Sequence, residues 1–132
     1  MAKNKKIVAI MFTSLVNYND LTKEDSKLAL EILSEHDKLL SSVINKYQGR
    51  IIKHINESIF AEFISATDSV NAAIKIQQEI KKANDINPKD FQIHVGLGLH
   101  MAEVYEQDGD LFGDGINLAA RIKAVASAHE IF

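Results

Sequence analysis

A continuous apolar run near the start of the chain constrains the fold more than any other part of the sequence. Residues 7–12 read Ile-Val-Ala-Ile-Met-Phe, so apolar side chains stand at both odd and even positions. Because successive side chains of a strand point to opposite faces, a strand of this kind is buried on both faces. The sequence therefore predicts a strand in the centre of a sheet.

The segment after this strand is predicted to form a helix. Thr22, with Asp25 three residues later, resembles a capping box at a helix start. Positions suited to an inner helix face then recur at helical spacing at Leu28, Ile32, His36, Leu39, Val43 and Tyr47. Gly49 is well placed to end this helix.

Two short strands and a second helix are predicted next. Residues 50–55 and 58–64 are rich in strand-forming side chains, and only Asn56 and Glu57 separate them. Two residues are the length of a tight hairpin loop, and asparagine tolerates the positive φ that such a loop requires. Ser65 is suited to cap the helix, whose inner face is expected at Val70, Ala73, Ile74, Gln77 and Ile80.

The last third of the chain completes the expected fold. Residues 91–101 alternate between apolar side chains and polar residues or glycine, which predicts a strand with one buried face. A hairpin through residues 102–105 is expected to extend the sheet, and a helix is expected from Ile116 onwards. The order strand, helix, strand, strand, helix, strand is that of a ferredoxin-like sheet with helices on one face. The predicted fold class is therefore α+β, a ferredoxin-like α/β sandwich, in a single domain.

The composition excludes several classes of function. With 18 acidic and 15 basic residues, the chain has no strong electrostatic attraction for nucleic acid. No apolar run is long enough to cross a bilayer, and residues 7–12 are too few for a signal-peptide core, so we expect a cytoplasmic location. The absence of cysteine excludes disulfides and thiolate metal sites, and the five dispersed histidines lack ligand spacing.

Two glycine motifs have ordinary structural interpretations when each is taken alone. Gly96 and Gly98 can mark the close approach of a packed helix, and residues 113–115, Gly-Asp-Gly, can form a simple turn. Neither motif identifies a function by itself.

Four segments taken together resemble the catalytic domain of class III adenylate and guanylate cyclases, from about residue 7 to residue 131. They are Ala-Ile-Met-Phe-Thr at 9–13, Gly-Arg-Ile-Ile-Lys at 49–53, Ala-Glu-Phe at 61–63 and Gly-Asp-Leu-Phe-Gly-Asp-Gly-Ile-Asn-Leu-Ala-Ala-Arg at 109–121. The resemblance implies that residues 1–132 are one cyclase homology domain of the nucleotide cyclase type, truncated at the C-terminus before the last strands and a phosphate-binding lysine.

The resemblance also implies an activity and a set of site residues. In this family a head-to-tail homodimer converts ATP to cyclic AMP and pyrophosphate with Mg²⁺ or Mn²⁺, and both chains contribute to each site. Lys53 and Asp110 match the residues that read the adenine edge, which favours ATP over GTP. Asn117 matches the residue that orients the ribose, and Arg121 the one that stabilises the pentavalent phosphorus. Alternatively, Asn117 caps a helix and Arg121 pairs with an acidic neighbour.

The departures from the family pattern cluster on the metal and phosphate side. The two metal-binding aspartates of the family correspond to Ser14 and Glu57. A serine hydroxyl lacks the charge that Mg²⁺ prefers, and the extra methylene of glutamate moves the carboxylate by about 1 Å, which can slow a positioned reaction on the order of a hundredfold. Other positions replace glycines that the family usually has, namely Asn17, Asn56, Ser58 and Ala102.

Three interpretations of function follow from this mixture. We favour a degenerate cyclase homology domain that binds a nucleotide or a partner and has weak activity or none. The second is an active adenylate cyclase that works with manganese. The third is a heterodimer in which this chain supplies Lys53, Asp110, Asn117 and Arg121 while a partner cyclase domain supplies the metal aspartates.

Overall fold

The structure is a computed structural model that describes residues 4–113, 116 and 130–131. Its elements are β1 (Asn4–Leu15), α1 (Tyr18–Glu24), α2 (Ser26–Lys46), β2 (Gly49–Ile55), β3 (Ser58–Phe63), α3 (Ala66–Ile86), β4 (Val95–Gln107) and β5 (Asp110–Phe112). None of these helices is both long and apolar enough to span a bilayer.

The described strands form one sheet in the order β2-β3-β1-β4-β5, and all neighbours are antiparallel. Strand β1 lies between β3 and β4, which confirms the central position that its apolar run predicts. The first four strands have the ferredoxin-like order, so the predicted α+β class is also confirmed.

The sheet has two apolar faces, as the run at residues 7–12 requires, although Ile7 at the start of that run is 64% exposed. On one face, here called the helix face, Met11 and Leu15 pack in a core cluster with residues of α2 and α3 such as Leu40 and Ile76. The other face, here called the opposite face, carries a second cluster of Val8, Ile10, Phe12, Phe60, Ala102, Val104 and Leu111. Ile116 packs against this second cluster.

The start of α2 differs from the predicted capping box. Asp25 has an extended backbone (φ −154°) that ends α1, and its side chain accepts a hydrogen bond from the Leu28 N–H at 3.1 Å. The Thr22 hydroxyl instead donates to the Tyr18 carbonyl inside α1 at 2.8 Å. Asp25 is therefore the cap, because the chain breaks between two helices at this residue.

Gly49 is required for a different reason from the one predicted. Gln48 (φ 66°), and not Gly49, adopts the left-handed backbone after α2. A Cβ on Gly49 would lie 2.6 Å from Cε2 of Phe63 and 2.7 Å from Cγ2 of Ile44. The glycine therefore allows β2 to pass close to α2 and β3.

The α3 helix is capped by Ser65, as predicted, but its buried face is rotated from the expected one. The Ser65 hydroxyl accepts from the Asp68 N–H at 3.2 Å. Val70 and Ile74 are 46% and 44% exposed. The buried face consists of Ser69, Ala72, Ala73, Ile76 and Ile80, whose smaller members allow the helix to approach the sheet closely.

Strand β4 begins later and runs further than predicted. The side-chain amide of Asn84 makes two hydrogen bonds of 2.8 Å to the backbone of Ile93, which takes the place of a strand partner. No hairpin interrupts residues 102–105. The turn lies at Asp108 and Gly109, whose φ values of 54° and 79° are typical of a two-residue hairpin loop.

Candidate functional site

The structure brings together two of the residues that the sequence places in the nucleotide site. Nζ of Lys53, on β2, lies 2.9 Å from Oδ2 of Asp110, at the start of β5. Their side chains are 43% and 34% exposed, so this ion pair is accessible to a ligand. The two residues are 57 positions apart in sequence, and only the fold makes them neighbours.

A β-bulge in β2 determines which face carries Lys53. Ile51 pairs with Ala61 and Lys53 pairs with Phe60, so Ile52 is an additional residue in the ladder. Ile51 packs in the helix-face cluster, whereas Ile52 packs in the opposite-face cluster. In a regular strand Lys53 would follow Ile51 onto the helix face. The bulge therefore places the lysine on the opposite face, where it meets Asp110.

The Lys53 ammonium also lies over an aromatic platform. Nζ is 5.7 Å from the ring centroid of Phe60, within the range of a cation–π interaction. Phe60 is fully buried and stacks on Phe12 of β1. The ammonium group thus contacts the ring of Phe60 on one side and the carboxylate of Asp110 on another, and the two contacts together fix its position.

The electrostatics of Asp110 keep it ionised. The hydrogen bond from Lys53 is the largest cause that holds the pKa of Asp110 below its ordinary value, and partial burial opposes this shift. The Leu111 N–H donates to Oδ1 at 2.8 Å, which stabilises the charged form further. Each carboxylate oxygen thus has one donor, and Oδ2 faces the lysine.

The two metal positions of the family pattern lie on adjoining parts of β1 and the β2–β3 hairpin. Ser14 is half-buried on β1, pairs with Gly96 of β4, and shares the opposite face with Phe12 by strand alternation. Glu57 lies in the two-residue loop between Ile55 and Ser58, which confirms the predicted hairpin.

A buried threonine that sequence reasoning did not single out connects these two positions. The Thr13 hydroxyl is fully buried and accepts a hydrogen bond from the Ile59 N–H at 3.0 Å. The β1–β3 pairing ends at Phe12 and Phe60, so Thr13 continues the contact with a side chain. Thr13 therefore joins the strand of Ser14 to the hairpin of Glu57. A polar residue directly after a buried apolar run is the signal that would have found it.

The residues present do not fit a site for two divalent ions. Ser14 and Glu57 offer one neutral hydroxyl and one carboxylate, whereas Mg²⁺ prefers several carboxylate oxygens. Within residues 4–113, 116 and 130–131, no group of three or more histidine or acidic side chains could hold a metal ion.

Two of the four positions where the family usually has glycine adopt the left-handed backbone that glycine favours. Asn17 (φ 65°) follows β1, and Asn56 (φ 54°) opens the hairpin loop. Asparagine adopts left-handed backbone more readily than most residues, so it suits both turns. The remaining predicted site residues, Asn117 and Arg121, lie outside the described residues, and their roles stay predictions.

A large groove elsewhere on the surface does not coincide with this site. It encloses about 670 Å³ between α3 and the segment before β4, with Gln77, Asn84 and Gln92 in its lining. Of the predicted site residues that the structure describes, none lines it. The Lys53–Asp110 pair on the opposite face is therefore the better candidate for recognition of a nucleotide.

Comparison with known proteins identifies the family of the chain. The family model of the adenylate and guanylate cyclase catalytic domain matches residues 1–132. "Putative adenylate cyclase 3" of Rhizobium meliloti is 34% identical over 123 residues, which are 92% of this chain and 21% of that protein. The serine/threonine-protein kinase pkn2 of Myxococcus xanthus is 23% identical over 94% of this chain and 15% of its own length. The chain thus spans about a fifth or less of these two curated relatives.

Solved structures share the fold. The adenylate/guanylate cyclase/hydrolase from Silicibacter pomeroyi has a TM-score of 0.89 at 24% identity and is matched over 98% of this chain and 76% of that one. The adenylyl cyclase CyaB from P. aeruginosa has a TM-score of 0.82 at 17% identity, over 99% and 78% of the two chains. From the family match together with the sheet order and the strand pairing, the chain belongs to the class III adenylate and guanylate cyclase catalytic domain family.

Proposed function

We propose that this domain recognises ATP in preference to GTP and that, on its own, it has weak cyclase activity or none. The observation that carries this proposal is the accessible ion pair between Lys53 and Asp110, on a sheet face whose metal positions are Ser14 and Glu57. The two residues that would read the base are present, whereas the pair of aspartates that would hold the metal ions is not.

The preference for ATP follows from the hydrogen-bonding groups of the two side chains. An ionised aspartate only accepts hydrogen bonds and a lysine only donates them. Adenine offers a donor in its exocyclic amino group and an acceptor in the adjacent ring nitrogen. Asp110 would take the amino group and Lys53 the ring nitrogen, while guanine presents an acceptor and a donor in the reverse order.

The weakness of catalysis follows from the donor set. Cyclisation requires the ribose 3′ hydroxyl to lose its proton and attack the α-phosphorus, and divalent metal ions supply the charge stabilisation for such a transfer in this family. Ser14 adds no charge, and the longer side chain of Glu57 displaces its carboxylate from the aspartate position. We therefore assign no metal-dependent step to this chain alone.

A second candidate function is an active adenylate cyclase, either with manganese or in a heterodimer whose partner supplies the metal carboxylates. Glu57 favours it, because the hairpin loop retains one carboxylate and the Thr13 bond to Ile59 fixes that hairpin against β1. In either case we propose a head-to-tail dimer and a role in cyclic-nucleotide signalling. Asn117 and Arg121 would orient the ribose and stabilise the phosphorus.

Nucleotide binding tests the first part of the proposal. We expect ATP to displace a fluorescent ATP analogue better than GTP does, and the Lys53→Ala variant to lose this preference. Lys81→Ala is the matched control, because Lys81 is an exposed lysine that also pairs with an aspartate, Asp85, but on α3. Equal affinity for ATP and GTP in the unmodified chain would overturn the proposed base recognition.

Measurement of cyclic AMP in the presence of manganese separates the two candidates. We expect little product from the unmodified chain and more from the double variant Ser14→Asp with Glu57→Asp. Substantial product from the unmodified chain alone would favour the active cyclase. If a second cyclase domain is needed for product, the heterodimer is supported.

A further inference from the structure

Four charged side chains form a connected group on the opposite face, close to the Lys53–Asp110 pair. They are Lys6 of β1, Arg50 of β2, Glu62 of β3 and Glu106 of β4, here called the charge cluster. Each cation contacts both carboxylates, so the cluster joins four strands of the sheet. The resemblance to the cyclase family assigns no role to it.

Glu62 is the buried centre of this cluster. It is only 4% exposed, and its Oε1 accepts from Lys6 Nζ at 3.0 Å and from Arg50 Nε and Nη2 at 3.1 and 2.9 Å. Its Oε2 is buried and has no hydrogen-bond partner among the described residues. A buried carboxylate destabilises the fold unless nearby cations and hydrogen-bond donors compensate its charge. Glu62 therefore holds Lys6 and Arg50 in defined positions.

The cluster and the base-reading pair connect the same two parts of the fold. Arg50 Nη2 lies 3.1 Å from Glu106 Oε1, and Lys53 Nζ lies 2.9 Å from Asp110 Oδ2. Both contacts run from β2 to the β4–β5 hairpin. Strands β2 and β5 are at opposite ends of the sheet order, so no backbone ladder joins them. Side-chain contacts across the opposite face therefore hold β2 and the β4–β5 hairpin together.

The β-bulge places the two contacts on the same face of β2. Because Ile52 is an additional residue, Arg50 and Lys53 project on the same side of β2 although three positions separate them. Arg50 is directly opposite Glu62 in the β2–β3 register. Glu62, on β3, thus contacts Arg50, which shares the opposite face of β2 with Lys53.

We propose that Glu62 is a positioning residue for the Lys53–Asp110 pair and so for the choice between ATP and GTP. Through Arg50 and Lys6 it holds Glu106, and with it the hairpin that carries Asp110, against β2. Loss of the buried carboxylate would release both cations and let the hairpin move away from Lys53. The specificity part of this inference rests on the proposed function, whereas the geometric part does not.

The chain offers a matched control in the adjacent residue pair on the same two strands. Lys5 Nζ and Glu103 Oε1 form an exposed ion pair at 3.2 Å, also between β1 and β4. Lys5 precedes Lys6, so its side chain lies on the other face of the sheet. Glu103→Gln removes the same charge as Glu62→Gln but does not touch the charge cluster.

The direct test is the pKa of the Asp110 carboxyl group, measured by NMR titration in the unmodified chain and in the variants. If the geometry stayed fixed, removal of the negative charge of Glu62 would lower the pKa of Asp110. We expect the opposite sign, a rise towards the value of an unpaired aspartate, because the contact with Lys53 loosens. Glu103→Gln should produce no rise. A Glu62→Gln variant whose Asp110 pKa falls or stays constant would overturn the proposal.

A second variant guards against a failure of Glu62→Gln to fold. Glu106→Gln keeps the buried contacts of Glu62 and removes the negative charge through which the cluster holds the hairpin. It should raise the pKa of Asp110 as well and should weaken the preference for ATP over GTP about tenfold, the size expected from one impaired charge-assisted hydrogen bond. An unchanged Asp110 pKa and an unchanged preference in this folded variant would also overturn the proposal.

The two readouts distinguish failure of this inference from failure of the proposed function. If the Asp110 pKa rises in the variants but the unmodified chain binds ATP and GTP equally, Glu62 positions the pair and the base-reading role is wrong. If the unmodified chain prefers ATP and neither readout changes in the variants, the pair reads the base and Glu62 does not position it.

Discussion

The rings of Phe12 and Phe60 stack with centroids 4.6 Å apart and an interplanar angle of 9°. This contact connects the part of the candidate site that contains Ser14 with the part that contains Lys53. Phe12 lies two residues before Ser14, and Phe60 lies beneath the ammonium group of Lys53. A change in the aromatic pair is therefore expected to affect the position of Lys53.

The Phe60→Leu variant tests that connection. Leucine keeps an apolar side chain but removes the stacked ring and the cation–π contact, so we expect a loss of about 1–2 kcal/mol in the free energy of unfolding. We also expect weaker binding of a fluorescent ATP analogue. Urea denaturation and a binding titration measure the two effects. Phe91→Leu is the control, since Phe91 packs on the helix face; equal losses of nucleotide binding in both variants would contradict the prediction.

The hydroxyl of Thr13 is expected to contribute measurably to the stability of the fold. Thr13→Val keeps the shape but leaves the buried N–H of Ile59 without its acceptor, which should destabilise the fold by about 1–3 kcal/mol. Thr22→Val removes an exposed hydroxyl that donates to Tyr18 and should cost less than about 0.5 kcal/mol. Chemical denaturation of both variants makes the comparison, and Thr13→Ser should recover part of the loss. A Thr13→Val variant as stable as the unmodified chain would show that Ile59 finds another acceptor.

His36 is expected to make the stability of the domain depend on pH. Burial lowers the pKa of His36 from 6.5, although the hydrogen bond to Asp37 raises it in part, and Nε2 is buried without a partner among the described residues. The unfolded chain then binds the proton more readily than the folded one. The contribution of the neutral ring is complete above about pH 6.5 and is lost as the pH falls through the lowered folded pKa.

Urea denaturation between pH 7.5 and pH 5 measures this dependence. The unmodified chain should lose up to about 1.4 kcal/mol per pH unit below the unfolded pKa of His36. His36→Leu should show a flatter profile. His100→Leu serves as the control, because that histidine lies on β4 and is only partly buried. Parallel profiles for the unmodified chain and His36→Leu would assign the pH dependence to other groups.

Two glycines should respond differently to substitution because one is limited by space and the other by backbone conformation. Gly49→Ala would place a methyl group 2.6 Å from Phe63 and should cost about 1–3 kcal/mol or more. Gly109 has φ 79° and nothing within 4 Å of its added Cβ, so Gly109→Ala should cost only about 1–2 kcal/mol of backbone strain. Gly109→Asn should recover stability, whereas Gly49→Asn should not; thermal unfolding of the four variants decides between the two causes.

The sequence was sufficient for the fold class and the order of the main strands and helices, because apolar patterning determines them. The run at residues 7–12 is apolar on both faces and forms the central strand, and Asn56 with Glu57 supplies the two-residue hairpin loop. The break between α1 and α2 was missed because Thr22 and Asp25 are both suitable caps. The rotated face of α3 was missed because small residues, which pack closely, carry a weaker pattern signal than Val70 and Ile74.

The geometry of the site was harder to predict from the sequence than the fold was. The resemblance named Lys53 and Asp110, but their contact depends on a bulge that residues 50–53, with no glycine after position 49, do not reveal. The charge cluster likewise joins residues up to 100 positions apart. Such contacts follow from register and from the approach of β5 to β2, which local patterns do not encode.

The additional residue at Ile52 has a consequence for relatives of this domain. Side-chain direction in a strand alternates, so a homologue with one residue fewer between its equivalents of Gly49 and Lys53 would point that lysine at the helix face and away from the equivalent of Asp110. Such a homologue would keep the fold, the hairpin and even the lysine in its sequence, but would lose the contact of that lysine with the equivalent of Asp110. Under the proposed role of Lys53, a deletion in β2 would alter substrate choice as effectively as a substitution.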